Sequence, residues 1–264
     1  YMYVQAGNVQ NRGIELTLGY DQTFGDFNYN TTFTATSNKN KIKKLASDVK
    51  NPVSGELMDL SDIKLGRFRL REGGEVGALY ADRRVEKNDE GYIPYNPGQT
   101  IATENTTPFK IGTVNPKWNL GWRHGFNYKG INASVMFTAR IGGNVISKTQ
   151  ATLDRFGVSK ASADAREAGY VMLGNIKMEP QDYYRTIYDL DSYYVYSATN
   201  IRLQEASIGY TLPNKWFGNV VKNVNVSVYG TNLWMIYNKA PYDPELTAST
   251  GTFGQGYDYF MLPS

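Results

Sequence analysis

Six stretches of the chain alternate apolar and polar side chains with a period of two, and the links between them are tight and long in turn. Period-two alternation belongs to a β-strand whose two faces meet different surroundings. Ile14, Leu16, Leu18 and Tyr20 share one face, with Glu15, Thr17 and Gly19 opposite. Phe27, Tyr29, Thr31, Phe33 and Ala35 then stand against Asn28, Asn30, Thr32, Thr34 and Thr36. In 118–128, Leu120, Trp122, Phe126 and Tyr128 form a face that His124 interrupts. In 131–141 the odd positions are apolar from Ile131 to Ile141, and Asn132, Ser134, Thr138 and Arg140 oppose them. The phase slips in 201–212, where Ile201 and Leu203 lie on one parity and Ala206, Ile208 and Tyr210 on the other. One extra residue near Glu205 accounts for that, so a β-bulge is predicted there. The sixth stretch, 223–234, recovers the pattern with Val224, Val226 and Val228.

Residues 21–26, Lys129-Gly130 and residues 213–222 make the tight links. Residues 37–117, 142–200 and 235 onward make the long ones. Compact soluble domains seldom carry structureless loops beyond ~12–15 residues. Membrane β-barrels do, joining strands by short turns at one end and long loops at the other. Strand lengths near the ~9–11 residues that cross a bilayer at a tilt point the same way. Inside the long links, 37–44 reads as a basic, solvated strand end, 88–98 as consecutive turns, and 159–168 as a short helix behind a serine cap.

Composition narrows the partners. No apolar run is long enough for a spanning helix, while a mean hydropathy of −0.47 suits a barrel whose inner face is polar. There is no cysteine, which removes disulfides and thiolate metal sites. A net charge of +3 over 28 basic and 25 acidic residues gives no nucleic-acid footprint. No secretory leader opens the chain, which reads as a piece of a longer protein.

Enzymatic signals are poor. The single histidine, His124, sits mid-strand with no nucleophile pattern near it, and reads as a strand residue. The acid pairs Asp189/Asp191 and Asp243/Glu245 have glycosidase chemistry open to them in principle, but solvated loop carboxylates read the same way. Residues 86–91 echo a calcium loop, yet the twelfth position is Pro97 instead of a bidentate glutamate, so an EF-hand is excluded. No cofactor is expected, with a looser calcium site in the loops left open. The glycine-rich 251–256 lacks the lysine and helix of a phosphate loop.

Aromatic residues carry more. Tyr20, Phe24 and Phe27, then Phe126 and Tyr128, then Tyr210, Trp216 and Phe217 gather at the tight links, as in an interfacial girdle. Six tyrosines between Tyr183 and Tyr196 crowd the second long link, and Tyr237, Tyr242, Tyr257 and Tyr259 the third. Such rings suit binding of sugars, peptides or a partner; equally, they pack long loops against one another. Tyr193, Tyr194, Trp234, Tyr237 and Tyr242 are taken as the candidates for a substrate or partner surface.

Two segments resemble a known family. Asn11-Arg12-Gly13-Ile14-Glu15-Leu16, followed by a polar-aromatic strand and Asn38-Lys39-Asn40-Lys41, is similar to a barrel hairpin of SusC/RagA-type TonB-dependent transporters. So is the run from Asn200 through Arg202, Glu205 and Tyr210 to Pro213, with Val226–Trp234 and Tyr242-Asp243-Pro244-Glu245 after it. The resemblance implies an all-β, antiparallel wall of a 22-stranded outer-membrane barrel with long extracellular loops and periplasmic turns. It implies uptake of oligosaccharides or peptides, a SusD-like surface lipoprotein as lid, and energy from the TonB complex. Residues 1–264 are then expected to be a C-terminal part of the barrel, with the plug domain and final strand outside them. The protein would be a transporter and not an enzyme, in contact with outer-membrane lipid. The competing reading is a secreted, soluble β-sandwich that binds glycans. It requires Leu16, Leu18, Val135 and Phe137 to pack into a core.

Overall fold

A computed structural model describes residues 7–47, 49–51, 53–174, 176–217, 224–245 and 254–260. The chain opens with two long strands, β1 (Gly7–Phe24) and β2 (Phe27–Leu45). The first long connection holds β3 (Asp62–Leu65), β4 (Phe68–Arg71), β5 (Ala78–Val85) and β6 (Thr103–Thr113). Strands β7 (Trp118–Tyr128) and β8 (Ile131–Ile141) follow. The second connection runs through β9 (Asn144–Ser147), α1 (Lys148–Arg155), α2 (Lys160–Ala168), β10 (Val171–Leu173), β11 (Ile176–Met178), α3 (Pro180–Ile187) and β12 (Val195–Ser197). Then come β13 (Asn200–Thr211), β14 (Asn225–Asn238) and, in the third connection, β15 (Tyr257–Asp258).

The six strands read from the alternation form one antiparallel meander in the order β1-β2-β7-β8-β13-β14. Each neighbour in space is the next of the six along the chain, so all three long connections leave from the same end. The register keeps the two faces separate across the whole sheet. Leu18 lies opposite Phe33, Phe33 opposite Trp122, and Trp122 opposite Phe137. Phe137 pairs in turn with Leu203, and Leu203 with Trp234. On the other face Thr17, Thr34, Gly121 and Thr138 line up in the same manner.

The bulge expected near Glu205 is present: pairing skips Gln204, and the apolar set changes parity from Leu203 to Ala206 without leaving its face. The tight links differ in detail from expectation. The first shrinks from residues 21–26 to Gly25-Asp26, with Gly25 at a φ of 60°. The second, Lys129-Gly130, has φ of 46° and 88°, both positive as a type I′ hairpin turn requires. In the third, a 3-10 turn covers Asn214–Phe217, and residues 218–222 lie outside the described set.

Strand β2 continues through the basic stretch to Leu45, well past the expected end at 36. Polar side chains do not stop a strand whose backbone finds a partner, and β1 supplies one as far as Gly7. Strand β14 likewise reaches Asn238, four residues past the expected end at Trp234, so Tyr237 belongs to the sheet and not to a loop.

The long connections are structured. Strands β3 to β6 form a four-stranded antiparallel sheet, β12-β9-β15 a three-stranded one, and β10-β11 a hairpin. The predicted helix at 159–168 is α2, with the Ser159 hydroxyl accepting from the Ser162 backbone N–H at its start. One apolar cluster joins Phe68, Leu79 and Val114 of the first connection to Ile146 and Val195 of the second and Tyr257 of the third. Another joins Val85 and Ile101 to Leu173, Met178 and Leu190. The three connections therefore pack as one body at one end of the sheet.

Candidate functional site

The sheet presents two chemically distinct surfaces. On the outward face the large apolar side chains stay uncovered: Leu16 is 44% exposed, Leu18 57% and Val228 73%. Among the described residues no second layer packs on them, which overturns the sandwich reading, since a sandwich would bury these positions. An apolar surface of this extent is stable against hydrocarbon and unstable against water. From Ile14 to Phe24 the strand rises about 33 Å at ~3.3 Å per residue. Tilted by ~40°, that is an apolar band about 25 Å tall, the height such walls show. Trp118 and Tyr237 lie at its upper rim; Tyr20, Phe24, Tyr128 and Tyr210 lie toward its lower rim, and all six are exposed. His124 sits inside this band. Its Nδ1 is 2.8 Å from the Tyr29 hydroxyl, and its ring rests against Trp122, so its polarity is met by a neighbouring strand.

The inner face is lined by asparagine, threonine, serine and glycine. Ser134 and Ser207 hydroxyls meet at 2.8 Å, and the Asn28 amide donates to Asp21 Oδ1 at 3.1 Å. Gly125 makes room for Asn30, whose Oδ1 would lie 2.5 Å from a Cβ at that position. This face keeps its hydrogen-bonding groups for water or a polar solute.

At the loop end of the inner face the strands meet the loop body through charge. Arg202 is buried, and its guanidinium donates to both oxygens of Asp243, at 2.7 and 3.2 Å. Glu245 lies 3.5 Å away and accepts from the Asn200 amide at 3.2 Å. Arg140 donates to the Val114 carbonyl at 2.5 Å. The acid pairs noted in sequence are thus tied up. Asp243 pairs with Arg202, Asp191 with Arg67 at 2.6 Å, and Asp189 lies 3.6 Å from Lys148. The Arg202–Asp243 contact is the feature that reading by segments missed. Its only signal was that both residues stand in segments resembling the same family.

The candidate aromatic residues do not share one surface. Tyr194 is 3% exposed and packs with Ala151, Tyr184 and Ile187. Burial pushes its phenol far above the usual range, and pushes Tyr184 and Tyr196 up to about 12. Tyr193 is exposed in a 3-10 turn before β12. Tyr242 is half-buried beside α1, with its hydroxyl 3.4 Å from Gln150 Oε1. Trp234 and Tyr237, opposite Leu203 and Ile201, lie on the outward apolar face. Among the described residues the loop body opens into pockets, two of which are well defined. One of ≈ 320 Å³ is lined by Arg67, Arg69, Arg83, Tyr80, Asp82 and Asp191. The other, of ≈ 600 Å³, lies among α1, α2 and α3, with Arg155, Phe156, Arg166, Glu179 and Tyr184 in its wall.

An unclosed antiparallel wall with one lipophilic and one hydrophilic face, topped by a packed loop body, defines the membrane β-barrel class. No protein-family model matches the chain. It is 27% identical to TonB-dependent receptor P3 of Formosa agariphila over 264 residues, 90% of this chain and 25% of that protein. With TonB-dependent receptor P26 of the same organism it shares 24% identity over 294 residues, 98% of this chain and 28% of that one. The chain thus spans about a quarter of the length of these curated relatives. Its fold is similar to the RagAB peptide importer in its closed-closed state, with a TM-score of 0.64, 17% identity, and coverage of 98% of this chain and 28% of that one. The open-open state gives 0.59 and 18%, over 95% and 27%. The resemblance to SusC/RagA-type TonB-dependent transporters read from the sequence is borne out, and with it the all-β antiparallel barrel wall.

Proposed function

We propose that the chain is part of the wall and loop body of a TonB-dependent outer-membrane transporter that imports oligosaccharides or peptides beneath a SusD-like lipoprotein lid. The long connections face the cell exterior and the tight turns the periplasm. Coupling to TonB belongs to parts of the whole protein beyond these residues. The chain binds and guides, and catalyses nothing; no cofactor enters the reading. The observation that carries it is the outward face, where large apolar side chains of β1, β7, β8, β13 and β14 stay exposed in register, backed by an inner face rich in small polar residues.

Within this reading Tyr193 and Tyr242 are the aromatic contacts for substrate or lid, since both leave part of the ring accessible in the loop body. Trp234 faces lipid in the outward face, in register with Leu203 and Phe137, and Tyr237 acts at the membrane boundary, where amphipathic rings favour the headgroup layer. The test is fractionation and pull-down with the intact protein. It is expected in the outer-membrane fraction, extractable only with detergent, and to bring down a surface lipoprotein. Recovery as a detergent-free soluble monomer would sink the proposal.

A further inference from the structure

By register, the outward face carries no carboxylate on any of its six strands, and its lysines and arginine gather at one place. Arg12 lies opposite Lys39, Gln10 opposite Lys41 and Asn8 opposite Lys44. All four cations are exposed, and among the described residues none is in an ion pair. The β1–β2 hairpin rises past the last residue of β2 that pairs with β7, Thr36, and the cations sit on that extension. The next outward pair below is Ile14–Ser37, where the apolar band begins, and below it lies Leu16–Ala35.

Like charges directly opposite across a strand pair repel, so the Arg12–Lys39 pair is unfavourable on its own account. An external anion relieves it. Arg12 and Lys39 stand one residue pair above the hydrocarbon-facing band and Lys41 and Lys44 at the next two outward pairs, a stretch that begins at the depth of lipid headgroups. Asn8 and Gln10 add neutral donors among them. We propose that Arg12, Lys39, Lys41 and Lys44 form a binding site for the phosphate groups of lipid headgroups in the leaflet on the loop side. The inference rests on the membrane-wall reading and adds a specific lipid contact to it. In the proposed orientation the ligand is a phosphorylated glycolipid of the outer leaflet.

The experiment uses the intact transporter, purified in a neutral sugar detergent and placed in phosphatidylcholine nanodiscs containing a minor fraction of lipid A. Retained lipid A is read by native mass spectrometry. The parent is expected to retain it, and each Lys→Gln change to weaken retention about fivefold. The combined Arg12→Gln, Lys39→Gln, Lys41→Gln and Lys44→Gln variant should retain none, while Lys→Arg variants behave as the parent. Dephosphorylated lipid A should be held poorly by all of them. Equal retention by the combined variant, or of the dephosphorylated probe, overturns the proposal. So does loss of lipoprotein co-purification in the combined variant with lipid retention unchanged, since that assigns the cations to a protein partner. Recovery of the parent without detergent overturns the membrane reading itself, a separate and distinguishable failure.

Discussion

Arg202 near the start of β13 and Asp243 in the third connection form a two-pronged ion pair, with Nη2–Oδ1 at 2.7 Å and Nη1–Oδ2 at 3.2 Å. Both side chains are largely shielded, at 6% and 14% exposure. A guanidinium so enclosed needs its partner, because leaving it alone strands a charge away from water. Asp243→Ala should therefore cost about 3–5 kcal/mol locally and loosen the third connection. Limited proteolysis of the intact protein reads this directly. Replacing both partners, as Arg202→Met with Asp243→Leu, should restore much of the resistance. Indistinguishable digestion of the Asp243→Ala protein and its parent would refute the assignment.

The two faces of β8 give a second test. Val135 looks outward, opposite His124 and Ala206, while neighbouring Ser134 looks inward to Ser207. Val135→Arg puts a charge near the middle of the apolar band, at about 2–4 kcal/mol. Ser134→Arg enters the hydrated side and should be milder. Heat-modifiable gel mobility after outer-membrane assembly compares them; equal yields of folded barrel would count against the face assignment.

Alkaline pH should loosen the loop body. Tyr184 and Tyr196 are pushed by burial from 10.0 to about 12, and Tyr194 further up. Below pH 10 the folded and unfolded chains both keep these protons, so pH has no leverage through them. Above it the unfolded chain releases protons that the folded one still holds, and stability falls as pH rises toward about 12. Phenolate absorbance during titration should show a late-titrating class, and Tyr184→Phe should shrink it. A single titration step near 10 for all tyrosines would contradict the packing.

Tyr194 supplies a sharper case. Its hydroxyl is buried and finds no hydrogen-bond partner among the described residues. Removing it takes away an unsatisfied group while keeping the ring that fills the cluster. Tyr194→Phe is expected to be neutral or to stabilise by about 1 kcal/mol, and to leave uptake of substrate unchanged. A clear loss of uptake with the fold intact would return Tyr194 to the binding surface.

How much of this was legible in the sequence depends on the distance over which the physics acts. Alternation along a strand is a local consequence of burial on one face, so Leu16 against Thr17, and even the slip at Gln204, could be read directly. The ends of β2 and β14 were hidden because Lys39, Lys41 and residues 235–238 carry no alternating apolar pattern, although their backbones pair with a neighbouring strand. Tyr237 was read as a loop aromatic and Trp234 as the last residue of its strand; only the irregular pairing of β14 tells which way they face. The connections were the least legible. Their strands are short, their partners lie far along the chain, and a tyrosine that will be buried looks the same in sequence as one that will not. Tyr193 and Tyr194 are neighbours with opposite fates.

The apolar cluster around Ile146 draws side chains from all three long connections, with Phe68, Val195 and Tyr257 among them. Grafting a single connection from a relative would leave that cluster with a missing wall, whatever ligand contacts the graft carried. Altered selectivity should thus travel between such proteins as an inherited cassette of three segments, and chimaeras built one loop at a time should fail at assembly before they fail at recognition.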